Sequence, residues 1–199
     1  MIFVVFCNVF NLIHQFSLMK KILFFSFLLI SFSNFAQTEP QPTIEDLGKI
    51  NVGLHGVEFS YEFPLSNKFL WENSLGVGMG SRVKMNKTYY TFILNNPTPY
   101  LKSELKYVYN TKKRLEKNKK VDLNSGNYIA LQSKYSFGDK DYFDLNKTLL
   151  TEIHWGIQRP LGKKFTFNTH VGVGFLKDFE TEYAEFSPTI GVKFGYKLF

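Results

Sequence analysis

The sequence Phe165-Thr166-Phe167-Asn168-Thr169-His170-Val171-Gly172-Val173-Gly174-Phe175 alternates between two kinds of side chain. Its odd-numbered positions are apolar apart from Thr169, and its even-numbered positions are small or polar. Because successive side chains of a β-strand point to opposite faces, this alternation predicts a strand with one apolar and one polar face. A run of about ten such residues bounded by turn residues is typical of the strands of a membrane β-barrel.

The same alternation recurs along the chain. The seven predicted strands are 49–63, 68–80, 98–110, 125–137, 148–159, 164–176 and 187–199. In the first, the apolar side chains shift from even to odd positions at His55-Gly56, and we interpret this shift as a β-bulge at a tolerant glycine. Single-chain bacterial barrels have an even number of strands. The predicted fold is therefore all-β, an antiparallel transmembrane up-and-down β-barrel of eight strands, the eighth lying in 37–48 or within a long loop.

The connections between the predicted strands are of two kinds. Residues 64–67 and 160–163 form short turns that contain proline, whereas 81–97, 138–147 and 177–186 are longer and more polar. Short turns on one rim and long loops on the other are typical of membrane barrels. The short-turn rim is therefore expected to face the periplasm.

Alternation does not by itself distinguish a membrane barrel from a soluble sandwich with an apolar core, but aromatic residues do. They cluster on the apolar face next to the short-turn rim: Tyr61, Phe63, Phe69, Trp71, Tyr107, Tyr109, Trp155, Phe165, Phe167, Phe194 and Tyr196. A small barrel has no room for so many rings at one level of its interior, whereas a belt at the lipid headgroups accommodates them. We therefore expect the apolar face to meet lipid, with the soluble sandwich as the alternative.

The polar face then fills the barrel. Charged groups enclosed in a narrow lumen must pair or stay hydrated, and eight strands enclose a space just wide enough to be filled by side chains. The sequence predicts a plugged lumen, not an open pore. The expected lumen network consists of Glu58, Glu62, Glu72, Lys102, Glu104, Lys106, Lys134, Glu152, His154, His170 and Lys193.

The first 36 residues have the features of an export signal. Lys20-Lys21 precede an apolar run, 22–32, and Ser33-Asn34-Phe35 then lead to the small residue Ala36; these are the parts of a signal peptide of the Sec pathway. We expect translation to start at Met19 and cleavage to separate Ala36 from Gln37. Residues 37–48 then form a polar tail and 49–199 the barrel domain. The alternative is a long membrane anchor covering all of 1–36.

The charge and the single cysteine exclude several function classes. The formal net charge is +7, and removal of Lys20 and Lys21 without any acid leaves 7 − 2 = +5 for residues 37–199. Much of this excess lies in the run 112–120, which could contact lipid phosphates but which we interpret as a solvated turn on the periplasmic rim. Cys7 lies in the removed segment, so no disulfide is expected. No phosphate loop, cofactor fingerprint or nucleic-acid module occurs, so we expect no cofactor and no nucleic-acid partner.

Two sets of polar-face residues could support metal binding or catalysis. His55, His154 and His170 all fall on the polar face and could form a metal or proton site, but their spacing matches no metal motif, so we interpret them as lumen residues. Ser74, His154 and Glu152 could form a catalytic triad only if they met in the fold. We expect neither a metal site nor catalytic residues.

The C-terminal residues, Thr189-Ile190-Gly191-Val192-Lys193-Phe194-Gly195-Tyr196 followed by Lys197-Leu198-Phe199, resemble the signal by which barrel-assembly machinery recognises outer-membrane proteins. The matching positions are Thr189, Gly191, Phe194 and Tyr196, with Phe199 as the terminal aromatic residue, out of phase with Tyr196. Residues 50–199 also resemble a family of small, mostly uncharacterised, porin-like outer-membrane β-barrels of Gram-negative bacteria. The stretches that carry this likeness are 61–68, 105–110 and 124–128.

The resemblance implies a fold and an outer-membrane location but no established activity. Barrel enzymes that deacylate lipid A are similar in size, yet the His-x-Ser pair that they carry does not occur in this chain. We therefore expect a non-enzymatic, monomeric barrel with a structural or surface-interaction role. Its expected partners are outer-membrane lipids and the barrel-assembly machinery. A lipid-modifying enzyme and a narrow channel are the alternatives.

Overall fold

A computed structural model describes residues 44–84, 87–90, 97–139 and 143–199. The predicted signal segment, its cleavage site between Ala36 and Gln37, and residues 37–43 of the predicted tail lie outside this part of the chain. The described elements are β1 (Leu47–Gly53), β2 (Gly56–Pro64), β3 (Phe69–Met79), β4 (Ser81–Lys84), β5 (Lys87–Tyr90), β6 (Pro97–Val108), α1 (Thr111–Glu116), β7 (Gly126–Ser136), β8 (Thr148–Leu161), β9 (Phe165–Asp178) and β10 (Ala184–Lys197).

Eight of these strands close into one antiparallel barrel. Their order around the barrel is β1-β10-β9-β8-β7-β6-β3-β2, so each strand pairs with its sequence neighbours apart from the closure between β1 and β10. The remaining two, β4 and β5, form a separate hairpin in the connection between β3 and β6. The predicted all-β, up-and-down, eight-stranded barrel is confirmed.

The predicted bulge at His55-Gly56 is wrong, because the segment 49–63 is two strands. β1 and β2 pair antiparallel with Val52 opposite Val57 and Gly53 opposite Gly56, and Leu54-His55 form the turn between them. Opposite residues share a face, and here even-numbered residues of β1 lie opposite odd-numbered residues of β2. The shift in apolar phase is therefore the mark of a tight hairpin, and it supplies the eighth strand.

The glycine after this turn has a conformation that favours glycine. Gly56 has a φ of +136°, and a Cβ atom added there would lie 2.3 Å from the carbonyl oxygen of Val77 on β3. The chain can therefore reverse direction tightly at this point and still pair with β3.

The other connections differ less from expectation. The loop predicted at 81–97 contains the β4–β5 hairpin, and the loop predicted at 177–186 is shorter, because β9 extends to Asp178 and β10 begins at Ala184. The basic run begins in α1 and continues into the turn that follows it. Within the described residues, no helix is long and apolar enough to cross a membrane.

The two faces of the barrel wall differ in polarity. Apolar strand side chains point outward and are exposed: Ile153 is 63% and Val173 is 59% accessible. Polar strand side chains point inward, and Glu152 and Glu72 are only 1% and 0% accessible. A soluble sandwich would require the opposite arrangement, with its apolar face inside. The aromatic residues of the outer face contact one another around the barrel, in the pairs Phe63–Trp71, Phe69–Tyr107, Phe165–Tyr196 and Phe167–Phe194.

Small apolar groups close the interior near its two ends. Next to the short-turn rim, Leu70, Val108, Tyr128 and Ala130 pack together inside the barrel. Leu123, in the segment that follows the basic run, is also buried at this end. Near the opposite rim, Leu145 and Leu176 are fully buried. The charged lumen therefore begins beyond an apolar layer at the short-turn end.

Candidate functional site

A row of acidic side chains crosses neighbouring strands inside the barrel. Glu62 on β2 lies opposite Glu72 on β3, and Glu72 lies opposite Glu104 on β6. The row continues through Gln132 on β7 to Glu152 on β8. Because like charges directly opposite one another destabilise a sheet, this row requires cations from other parts of the lumen.

Lysines from strands on both sides provide those cations. Lys106 Nζ lies 2.8 Å from Glu62 Oε1 and also contacts Glu72. Lys49 Nζ lies 2.8 Å from the same Glu62 oxygen. Lys193 Nζ, reaching across from β10, lies 2.6 Å from Glu72 Oε1. Glu62 and Glu72 are thus neutralised by lysines from different walls of the barrel.

A second group of contacts extends the network toward the β1–β2 turn. Glu58 accepts hydrogen bonds from Lys102 Nζ at 2.7 Å to each carboxylate oxygen and from Lys193 Nζ at 3.1 Å. The hydroxyl of Tyr100 and the amide of Asn51 also donate to Glu58, each at 3.0 Å. A buried carboxylate with this many donors is fully satisfied, as burial of charge requires.

The structure brings most of the predicted lumen residues into this one network. Its ion pairs join Lys102, Lys106 and Lys193, together with Lys49, to Glu58, Glu62, Glu72 and Glu104. Lys134 lies apart from this group: its Nζ stands 4.2 Å from the centre of the Tyr100 ring and donates to the carbonyl of Met79 at 3.5 Å.

The remaining three predicted residues form a separate cluster, Glu152, His154 and His170. The two imidazole rings stack with centroids 4.1 Å apart, and His154 Nδ1 lies 2.9 Å from Glu152 Oε1. His170 Nε2 lies 3.4 Å from the same carboxylate oxygen. His55, in the β1–β2 turn, lies further out, with its ring 6.2 Å from that of His170. We call the group of Glu152, His154 and His170 the histidine cluster.

The arrangement does not assemble the triad that the sequence allowed. The hydroxyl of Ser74 donates to Glu72 Oε1 at 3.4 Å. Both ring nitrogens of His154 face glutamates, Nδ1 that of Glu152 and Nε2 that of Glu104 at 3.2 Å. His154 therefore has no nitrogen directed at Ser74. Activation of a serine nucleophile requires a histidine nitrogen that accepts the proton of its hydroxyl.

Several lumen residues were not singled out from the sequence. Lys49 and Asn51 alternate with Ile50 and Val52, but the misassigned bulge concealed the polar face of β1. Tyr100 and Tyr128 occupy the even-numbered positions of β6 and β7, which carry the inward polar side chains of these strands. This position in the alternation was the signal that could have placed them inside. Other amides complete the network: Asn124 Nδ2 donates to Glu62 at 2.9 Å, and the Tyr128 hydroxyl donates to Asn168 at 2.9 Å.

The residues of the predicted assembly signal lie along β10 and just beyond it. Phe194 and Tyr196 pack on the outer face, and Thr189 and Gly191 point inward, Gly191 against the ring of His170. Phe199 lies past the end of β10, where its carbonyl accepts a hydrogen bond from Gly48 at 3.1 Å and its ring packs 6.1 Å from that of Tyr61. The phase of Phe199 thus differs because the strand has already ended.

Comparison with protein-family models, with curated proteins and with solved structures gives no match. The resemblance to small outer-membrane barrels therefore stays a prediction from the sequence.

Proposed function

We propose that this chain is a non-enzymatic integral β-barrel of a Gram-negative outer membrane, exported through the Sec pathway, with a closed lumen and a structural or surface-interaction role. The observation that carries the proposal is the reversed polarity of the barrel, whose exterior is apolar and whose interior is charged. Residues such as Leu75, Val77, Ile153 and Val173 expose about half of their side chains on one continuous wall. Exposed apolar patches of this extent mark a surface that is covered by another apolar phase.

Contact with lipid removes the unfavourable free energy of exposing this apolar wall to water. Each square ångström of apolar surface transferred from water contributes roughly 25 cal/mol, so a wall lined with leucine, valine and phenylalanine strongly favours a bilayer. A closed barrel also satisfies every strand-to-strand backbone group where its strands pair, which hydrocarbon demands. The belt of outward rings near the short-turn rim suits the lipid headgroup region.

The rim with the β4–β5 hairpin and the connections 137–147 and 179–183 is the one that we assign to the cell surface. Both the start of β1 and the end of β10 lie at the opposite rim, together with the turns at 65–68 and 162–164. Apart from the 109–125 connection with α1 at the opposite rim and the two-residue β1–β2 turn, the longer segments lie at one rim and the short turns at the other. This arrangement suits an outward-facing interaction surface.

The direct test is the electrophoretic mobility of the protein extracted from membranes, with and without boiling. We expect the unheated protein to migrate differently from the boiled chain, because a closed membrane barrel resists unfolding by detergent at room temperature. Recovery of the protein from the soluble periplasmic fraction, with equal mobility before and after boiling, would contradict the proposal.

The closed lumen has its own test in planar bilayers. Lys49, Lys106, Glu62 and Glu72 are 0–1% exposed and joined by ion pairs, so no continuous water column is expected through the barrel. The reconstituted protein should give no steady conductance. Stable single-channel steps in the wild-type protein would favour the narrow channel and contradict a closed lumen.

A further inference from the structure

We propose that the histidine cluster, Glu152, His154 and His170, binds a divalent transition-metal ion of the Zn²⁺ class inside the lumen. The inference goes beyond the proposed function and stands on the geometry of the cluster. One ligand atom from each of the three residues lies within 4.8 Å of the other two. All three side chains belong to β8 and β9, whose pairing fixes their separation.

The β8–β9 register makes room for the cluster. Across this strand pair, Glu152 lies opposite Gly174, His154 opposite Gly172 and His170 opposite Gly156. Each candidate ligand thus faces a glycine, so the two imidazoles meet on the diagonal between the strands. On its other side His170 lies opposite Gly191 of β10, where an added Cβ would approach the ring to 2.1 Å.

The hydrogen-bond pattern around His154 leaves a position for a cation. A neutral imidazole donates from one nitrogen and accepts at the other. If Nε2 carries the proton and donates a hydrogen bond to Glu104 Oε1, at 3.2 Å, the lone pair of Nδ1 faces Glu152 Oε1 at 2.9 Å. Two acceptors at that distance repel each other unless a positive charge lies between them. The contact between His154 and Glu104 is also the outer hydrogen bond that orients metal-binding histidines.

The charge of Glu152 supports the same conclusion. Among the described residues, its ion-pair contacts are with His154 and His170 and with no lysine or arginine, unlike the lysine-neutralised glutamates elsewhere in the lumen. Gln132 Nε2 donates one hydrogen bond to Glu152 at 3.0 Å. The other oxygen, Oε2, is buried, and no described residue donates to it in good hydrogen-bond geometry, although the Thr189 hydroxyl lies close to the carboxylate. A bound cation would neutralise this carboxylate.

The ligand set selects the kind of ion. Two imidazole nitrogens and one carboxylate oxygen suit Zn²⁺ and its first-row neighbours, whereas Ca²⁺ and Mg²⁺ prefer all-oxygen sites. Bonds of about 2.0–2.2 Å in a tetrahedral site separate ligand atoms by roughly 3.4 Å. The 3.4 Å separation between Glu152 Oε1 and His170 Nε2 equals that value, and the 2.9 Å separation to His154 Nδ1 is about 0.5 Å shorter. Because the two rings are stacked, one of them turns when both lone pairs bind the ion. Three protein ligands leave a fourth position for water.

An open cavity gives the cluster a route to the barrel mouth. It adjoins the β1–β2 turn and is lined by His55, Glu58, His170 and Gly191 among others. An ion entering there would pass His55 and meet His170 first.

The alternative without metal is a protonated His154 held between Glu104 and Glu152.

The test is metal binding by the full chain folded in detergent, after treatment with a chelator. We expect one Zn²⁺ per chain in a competition titration, and Co²⁺ should give the visible absorption bands of a four-coordinate site. Absence of both signals in folded wild-type protein would overturn the proposal and favour the protonated His154.

Matched variants locate the ion. Glu104→Gln changes a residue that only hydrogen-bonds a ligand, so it should lower the Zn²⁺ affinity roughly 10- to 100-fold. Glu152→Gln and His170→Asn remove ligands and should lower the affinity more. Glu62→Gln, at a buried lumen glutamate outside the cluster and outside the cavity lining, should retain one ion per chain. The gel shift on boiling reports whether each variant is folded. Equal Zn²⁺ affinity in wild type, folded Glu152→Gln and folded His170→Asn would overturn the assignment.

Discussion

At the scale of the residue, the acidic row depends on lysines that are distant in sequence. Lys106 contacts Glu62 and Glu72 at once and is 1% exposed. The residues directly opposite it, Ala130 on β7 and Leu70 on β3, are uncharged. Lys106 also lies 4.0 Å from Glu104, so its loss removes a cation that contacts three glutamates.

Lys106→Met should destabilise the barrel strongly. Removing one partner of a buried ion pair costs about 3–5 kcal/mol. Lys49 and Lys193 still contact Glu62 and Glu72 in this variant, but the row of carboxylates loses one of its positive charges. The measurement is the free energy of unfolding from urea titrations of the protein folded into vesicles.

Lys197→Met is the matched control. Lys197 pairs with Glu45 at 3.0 Å, and the two side chains are 26% and 44% exposed, so the pair should contribute only about 0–1 kcal/mol. Similar unfolding free energies for the two variants would show that the lumen network does not stabilise the fold.

At the scale of the element, the β1–β2 hairpin is where sequence reasoning failed. The residues in its turn, Leu54-His55, carry none of the Asn-Gly or Asp-Gly signals that mark two-residue hairpins. Both a bulge and a tight hairpin shift the apolar phase at a glycine. The two interpretations differ in the number of strands, because a hairpin divides 49–63 into two strands and makes the total eight. The short β4–β5 hairpin was missed because its four-residue strands are too brief to show a period.

A double-cysteine variant tests the hairpin directly. Val52→Cys with Val57→Cys should form an intramolecular disulfide on oxidation, because the two residues are opposite each other and opposite strand residues have Cα atoms within disulfide range. In one continuous strand they would stand about 16 Å apart. The product is detected by its mobility before and after reduction.

Val52→Cys with Val77→Cys provides the control. Val77 lies opposite Val57 on β3, two strands from Val52 and about 10 Å away, so this pair should stay reduced. A disulfide in the control but not in the 52–57 pair would refute the hairpin register.

At the scale of the whole molecule, a two-residue period was sufficient to predict the fold class and many of the side chains that point inward. It did not predict which of them meet. Those contacts depend on the register between strands: His154 and His170 stack because of the β8–β9 offset, and Lys193 reaches Glu72 only because the barrel closes. The sequence of one strand contains no information on either relation.

The polarity of the barrel is the central claim, and the two tryptophans of the chain test it without substitution. Trp71 and Trp155 lie on the outer face, 40% and 45% exposed, in the aromatic belt. In vesicles that contain phospholipids brominated on their acyl chains, we expect strong quenching of tryptophan fluorescence and little quenching by aqueous iodide. Quenching by iodide with none by the brominated lipids would contradict a barrel whose apolar wall meets the membrane.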